Sequence, residues 1–128
     1  MTHSTQYLIV GASHGGLSAL DAIRMFDANG TITVISKENT LPYSPTVLPY
    51  VLSGQANPDR IHLRDEKFFE KHDTAFMMGK AVVGVNTSSN LVTLDTGEEI
   101  VYEKLLLATG AYPKVPAIAG LEEAQWHV

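Results

Sequence analysis

The stretch Gly11-Ala12-Ser13-His14-Gly15-Gly16 decides the fold of this chain. An apolar run at residues 7–10 precedes it, and apolar residues recur at helical spacing through residues 17–26. A buried strand, a glycine-rich turn and a helix in this order direct free backbone N–H groups and the helix dipole at one point. That arrangement suits a pyrophosphate. The stretch therefore predicts a dinucleotide-binding unit at the start of the chain.

The glycines of this turn have separate physical roles. In the dinucleotide pattern the first glycine permits the bend, the second admits a phosphate and the third lets helix and strand pack closely. Gly11 and Gly16 occupy the first and third positions, whereas Ser13 replaces the second and Gly15 adds freedom beside it. A small hydroxyl side chain still allows a phosphate to approach and can donate to it. The alternative is a plain strand-to-helix turn without a ligand.

The second strand, near residues 31–36, ends in a polar pair. Glu38 lies close to the roughly 20-residue spacing at which an acidic residue binds the adenosine ribose. A glutamate there fits an unphosphorylated ribose, as in FAD or NAD. The alternative is a solvated surface charge beside Lys37. His14, within the turn, is either a hydrogen-bond donor to a ligand or an ordinary loop histidine.

Composition narrows the class of protein. The 128 residues are 45% hydrophobic and 18% charged, as expected for one soluble globular domain. The net charge of −5, without a basic run, argues against nucleic acid or an anionic membrane as partner. Cysteine is absent, which excludes disulfides and thiolate chemistry. With no signal peptide or membrane span in the sequence, we predict a cytoplasmic protein.

The remaining pattern predicts a three-layer, doubly wound α/β domain, a Rossmann-like fold. Parallel strands are expected near residues 6–11, 31–36, 74–78 and 104–108, with residues 105–107 fully buried. A period of two over residues 81–102 predicts a three-stranded antiparallel meander that covers one face. Residues 39–60 are rich in proline and predict an irregular excursion with a short helix starting near Pro45. Another helix is expected over residues 64–72.

Four segments in register carry a resemblance to a known family. They are Gly11-Ala12-Ser13-His14-Gly15-Gly16, Ile32-Thr33-Val34-Ile35-Ser36-Lys37-Glu38, Leu41-Pro42-Tyr43-Ser44-Pro45 with its continuation to Gly54, and Leu107-Ala108-Thr109-Gly110-Ala111-Tyr112-Pro113. Together they resemble the FAD-dependent pyridine nucleotide–disulfide oxidoreductase superfamily. Within it, the chain is most similar to ferredoxin and rubredoxin reductases, the nitrite-reductase FAD domain and NADH oxidases.

This resemblance implies FAD as cofactor and NAD(P)H as co-substrate. The FAD pyrophosphate would lie on residues 11–16, its ribose on Glu38 beside Lys37, and its adenine against the backbone near Val82. The flavin would lie near the loop Tyr43-Ser44-Pro45. Three residues would close over the cofactor after the last strand: Ala108, Thr109 and Gly110. Read without the family, Gly110 is also compatible with a plain strand-to-loop glycine.

Two departures from the family pattern limit what is carried over. Pro45 stands where many of these reductases have an arginine, and Thr46 and Val47 occupy the segment in which disulfide-reducing members place a redox cysteine. Any redox chemistry must then use the flavin alone. No catalytic residue and no metal ligand is assigned.

The resemblance also implies a longer protein. We expect residues 1–128 to be a single FAD-binding domain, the N-terminal part of a reductase whose nicotinamide-binding domain is absent, with the link to that domain beginning near residue 126. The isolated chain should then not turn over. Its partners would be the missing nicotinamide domain or an electron-acceptor protein, with a homodimer through the exposed surface as a further expectation. The alternatives are a stand-alone module that binds NAD or FAD without catalysis and an interaction scaffold whose cofactor site has decayed.

Overall fold

A β–α–β unit opens the chain and sets the direction of the sheet. The computed structural model describes residues 2–121, so the expected link near residue 126 lies outside the described part. Strand β1 (Thr2–Val10) leads through the glycine turn into helix α1 (His14–Phe26) and then into the parallel strand β2 (Ile32–Ser36). The register pairs Tyr7 with Ile32 and Val10 with Ile35. The predicted unit is confirmed, with β1 starting four residues earlier than expected.

Two further strands complete the parallel half of the sheet. Strand β3 (Thr74–Met78) adds to β2, and strand β6 (Glu99–Leu107) adds to the other side of β1. The order β3-β2-β1-β6 is that of a doubly wound fold. The sequence-based prediction of four parallel strands is therefore confirmed.

The connection from β2 to β3 is the irregular excursion. A 3-10 turn (Pro45–Val47), a short helix α2 (Leu48–Leu52) and a second 3-10 turn (Pro58–Arg60) precede helix α3 (Glu66–Lys71). The Asp65 carboxylate caps α3 by accepting the Phe68 N–H at 3.0 Å. Phe69 of α3 is buried, and its ring stacks on that of Phe76 in β3.

The antiparallel half consists of strands β4 (Val82–Asn86) and β5 (Leu91–Leu94) with the first part of β6. We expected separate strands at residues 100–102 and 104–108. They are one continuous strand, because the exposed residues Glu103 and Lys104 interrupt the apolar pattern without interrupting the pairing with β1.

The length of the β3–β4 connection shows how the two halves are arranged. These strands are at opposite ends of the sheet order, yet only residues 79–81 join them. Five strand spacings would separate them by about 24 Å in a flat sheet, whereas the connection spans at most about 15 Å. The sheet must curl so that β4 returns over the parallel strands. The expected meander over one face is thus formed by the same sheet folded back.

Alternate residues of the central strands divide the interior into two cores. Leu8, Val10 and Ile35 belong to a cluster with β5 and β6, whereas Ile9 and Val34 belong to a cluster with the helices. On the helical side Leu20 is fully buried. Helices, parallel strands and the curled hairpin are the three layers of the domain. Among residues 2–121, none of the helices is long and apolar enough to cross a bilayer.

One expectation about burial was wrong. Residues 105–107 are not fully buried: Leu106 is 39% exposed and Leu107 57% exposed. Strand β5 pairs with β6 only as far as Val101, so the following residues have no strand on that side within the described chain. The apolar spacing of α1 also runs one turn beyond its buried face, since Phe26 is 91% exposed.

The β3–β4 connection is tied to the β5–β6 turn by a polar cluster. The Asp95 N–H donates to the Ala81 carbonyl at 2.8 Å, and the Ala81 N–H donates to the Asp95 carboxylate at 3.1 Å. The Lys80 ammonium lies 2.6 Å from the Glu98 carboxylate, which also accepts the Thr96 hydroxyl. The Lys80 hydrogen bond, with that of Thr96, holds the pKa of Glu98 below its usual value of 4.5. These bonds hold the curl of the sheet.

We expect Leu20→Ala to lower the free energy of unfolding by about 2–5 kcal/mol, because it leaves a cavity between α1 and the sheet. Phe26→Ala, a larger truncation on the same helix, should change it by less than about 0.5 kcal/mol because Phe26 is exposed. Urea unfolding followed by circular dichroism measures both. Equal effects of the two substitutions would contradict the assigned helix face.

A second prediction concerns pH. Because the pKa of Glu98 is depressed in the folded state, its contribution to stability is present above pH 4.5 and is lost as the pH falls through the folded-state pKa. Glu98→Gln should therefore reduce stability modestly at pH 7, and its difference from wild type should shrink towards pH 3. Urea midpoints at the two pH values test this. The control Glu99→Gln alters an exposed residue on β6 and should show neither effect.

Candidate functional site

A cavity of about 680 Å³ lies where strands β1, β2 and β6 end. Its walls come from the glycine turn, the β2 end, the proline-rich loop, the β3–β4 connection and the residues after β6. The carboxyl ends of parallel strands are where open α/β sheets bind ligands. The cavity has the size of a small-molecule or cofactor site.

Close backbone packing explains the glycines at the ends of the turn. Gly11 has φ +109°, and a Cβ there would overlap the Ala108 carbonyl oxygen. A Cβ on Gly16 would overlap the Gly11 carbonyl oxygen. The Gly11 N–H donates to the Ile35 carbonyl at 2.8 Å, which fixes the turn to β2. The bend and the helix–strand contact therefore require glycine at these two positions.

The start of α1 offers hydrogen-bond donors to the cavity. Ser13 is the N-cap residue, is exposed, lines the cavity and makes no side-chain capping bond. The first N–H groups of a helix have no acceptor within the helix and carry its positive dipole end. α1 has no acidic residue in its first turn that would compete for them. This end of the cavity suits an anionic group.

The structure brings together most of the residues that the sequence predicted. The following line the cavity: Gly11, Ser13, Lys37, Glu38, Pro45, Val82, Ala108, Thr109 and Gly110. Four others do not: His14, Gly15, Gly16 and Ser44.

The four residues outside the lining have other positions. His14 and Gly15 are exposed in the first turn of α1, and a Cβ on Gly15 would make ordinary van der Waals contact with the Ala108 side chain. Gly16 is buried in the helix–strand contact. Ser44 is buried, and its hydroxyl lies 2.8 Å from the Thr46 hydroxyl. Their assignment to a ligand remains a prediction.

The acidic end of the cavity contains Glu38 and Tyr43. The Tyr43 hydroxyl donates to the Glu38 carboxylate at 3.4 Å. Burial, together with the charge and hydrogen bond of Glu38, raises the pKa of Tyr43 above its usual value of 10.0. Next to them, the Lys37 ammonium lies 4.1 Å from the centre of the Tyr112 ring. A carboxylate and a hydroxyl at one rim form an acceptor–donor pair suited to a sugar diol.

Several lining residues were not assigned to the predicted site, among them Lys80, Tyr112 and Tyr43, although the resemblance placed the Tyr43 loop near the flavin. Tyr43 and Tyr112 lie within the segments that carried the family resemblance, so their position was the available signal. No signal in the sequence pointed to Lys80, because only the curl of the sheet brings the β3–β4 connection to this cavity. Within residues 2–121, no group of three or more carboxylate or histidine side chains is placed to hold a metal ion.

Comparison with known proteins shows the family to which the chain belongs. The family model for pyridine nucleotide-disulphide oxidoreductases matches residues 5–128. The chain is 50% identical over 124 residues to the NADH-dependent phenylglyoxylate dehydrogenase subunit epsilon of Aromatoleum evansii, covering 97% of this chain and 30% of that protein. It is 31% identical to the rubredoxin-NAD(+) reductase of Pseudomonas putida, covering 81% of this chain and 27% of the relative.

A solved structure of another protein has the same fold over most of this chain. The NADH:rubredoxin oxidoreductase of Clostridium acetobutylicum superimposes with a TM-score of 0.79 at 32% identity, over 88% of this chain and 30% of that one. The chain thus spans less than a third of the length of the relatives it matches. With a family match over nearly its full length, the chain belongs to the pyridine nucleotide-disulphide oxidoreductases, a family of flavin- and NAD-binding oxidoreductases.

Proposed function

We propose that residues 1–128 form one FAD-binding domain of an NAD(P)H-dependent flavoprotein oxidoreductase. In such a protein, electrons pass from a nicotinamide through FAD to an acceptor. The observation that carries this proposal is that a glycine turn, a helix N-terminus and a carboxylate all line the same cavity. A dinucleotide needs all three: close backbone approach, N–H donors for its phosphates and an acceptor for its ribose.

The residues present fit FAD. Its pyrophosphate would be held at Gly11, Ser13 and the first N–H groups of α1, with His14, Gly15 and Gly16 behind them. Glu38 would accept from the ribose hydroxyls, and Lys37 would add a positive charge beside the phosphates. Adenine would meet Val82, whose place on the cavity wall supports this assignment.

The flavin end would be formed by two segments. Ser44 and Pro45 come from the proline-rich loop, and Ala108, Thr109 and Gly110 follow β6. Apolar side chains on the wall, among them Val10, Ile35 and Leu107, would exclude water from this part of the cavity. FAD, when bound, supplies the electron-transfer chemistry. The chain contains no cysteine, so its own role is to bind and orient the cofactor and to shield it from solvent.

The rest of the reaction would depend on protein outside these residues. We propose that a nicotinamide-binding domain delivers electrons to FAD and that the isolated chain does not turn over. The relatives named after rubredoxin support a small redox protein as acceptor. We propose the cytoplasm as its compartment. A homodimer through the surface that an absent nicotinamide-binding domain would leave exposed stays a prediction.

A second candidate concerns the partner. Identity of 50% to a protein named as the epsilon subunit of an NADH-dependent dehydrogenase favours a role within a multi-subunit enzyme. The chain would then be the flavin-binding part of a subunit that exchanges electrons between NAD(H) and the remaining subunits. Copurification of the tagged, full-length subunit with stoichiometric partners would support this role, and a stable isolated reductase active on rubredoxin would contradict it.

The test of FAD binding uses Ser13→Asp. Aspartate is a good N-cap and faces the positive end of the α1 dipole, so stability should be kept or raised. Its charge would oppose the pyrophosphate, and we expect FAD affinity to fall by at least about tenfold. The visible spectrum after incubation with FAD and desalting, with titration calorimetry, measures the effect.

The matched control is Ser89→Asp, which adds the same charge in an exposed turn away from the cavity. It should leave FAD affinity unchanged. Retention of NAD but not FAD by the wild-type protein would contradict the proposal and favour the stand-alone NAD module. Equal losses of affinity in the two variants would contradict the assignment of the phosphates to the turn.

A further inference from the structure

The backbone of Glu38 is fixed on both sides before any ligand arrives. Its N–H donates to the Ser36 hydroxyl at 3.2 Å, and its carbonyl accepts the Gly79 N–H at 3.1 Å. Gly79 has φ +67°, so the β3–β4 connection needs glycine to make this contact. The position of Glu38 at the cavity rim is therefore set by two strand ends.

The Glu38 side chain, by contrast, is exposed and needs a partner to hold one orientation. Lys37 is engaged with the Tyr112 ring. Within residues 2–121, the side chain that bonds the Glu38 carboxylate is Tyr43, through its hydroxyl to Oε1. The other carboxylate oxygen, Oε2, is left to accept from elsewhere.

Tyr43 is itself held in place by its loop. It forms an antiparallel bridge with His62, and the adjacent Pro42 is buried with its carbonyl accepting the Leu63 N–H at 2.7 Å. Burial raises the pKa of Tyr43, which keeps the hydroxyl protonated and able to donate at neutral pH. A rigid donor on one carboxylate oxygen restricts the rotation of the group.

We propose that Tyr43 is the positioning residue for Glu38, turning its carboxylate towards the hydroxyls of an adenosine ribose. This inference rests on the proposed function, since it assumes that the dinucleotide's ribose meets Glu38. A ribose diol donates two hydrogen bonds, and a carboxylate accepts both only when its plane is oriented. Tyr43 supplies that orientation without requiring a contact of its own with the ligand.

The test compares ADP with 2′,3′-dideoxy-ADP, which differ only in the ribose hydroxyls. Tyr43→Phe should weaken ADP binding by about three- to tenfold while leaving dideoxy-ADP unchanged. A purely structural role of Tyr43 would weaken both ligands alike. Titration calorimetry on the purified protein measures the two affinities. The control Tyr50→Phe lies in the same segment, is exposed and is off the cavity wall, so it should alter neither.

A double-mutant cycle separates action through Glu38 from direct contact. In a Glu38→Gln background, Tyr43→Phe should have no further effect on ADP. Equal losses for both ligands, no discrimination between them by the wild type, or an undiminished effect in the Glu38→Gln background would each overturn the inference. If the wild-type protein binds FAD but shows one of these results, only the inference fails. If it binds neither ADP nor FAD, the proposed function fails with it.

Discussion

The close approach of three backbone segments at Gly11, Gly16 and Ala108 is the constraint on which the rest of the structure depends. A side chain on either glycine would collide with a carbonyl oxygen, so the ends of β1 and β6 and the start of α1 could not meet. Their meeting fixes both the cavity floor and the direction of the helix N-terminus. The φ of +109° at Gly11 is open to glycine because glycine carries no Cβ, whereas any other residue there would be strained.

The curl of the sheet is the second constraint, and it follows from a short connection. Residues 79–81 must join opposite ends of the strand order, so the antiparallel hairpin has to cover the parallel strands. This brings Lys80 and Val82 to the same cavity as the glycine turn. The hairpin that covers the second apolar face of the sheet thus also forms one wall of the site.

The sequence predicted what local chemistry determines. Strand and helix periods, the glycine turn and the acid after β2 were sufficient for the parallel half and for three lining residues, Gly11, Ser13 and Glu38. The family resemblance supplied the other six: Lys37, Pro45, Val82, Ala108, Thr109 and Gly110. The sequence did not predict that β6 is continuous, because pairing with β1 overrides the local polarity of Glu103 and Lys104. Nor did it predict the exposure of Leu106 and Leu107, which depends on where β5 stops pairing. Such long-range pairing leaves no local pattern.

Ser13 stands where the dinucleotide pattern has its second glycine, which favours a decayed cofactor site, but its geometry argues against that interpretation. Its φ of −91° and ψ of −163° are ordinary extended values, so the backbone there does not need glycine. Its hydroxyl makes no capping bond and stays available at the cavity wall. Serine therefore places a hydrogen-bond donor, rather than bare backbone, at the end of the cavity that suits an anionic group.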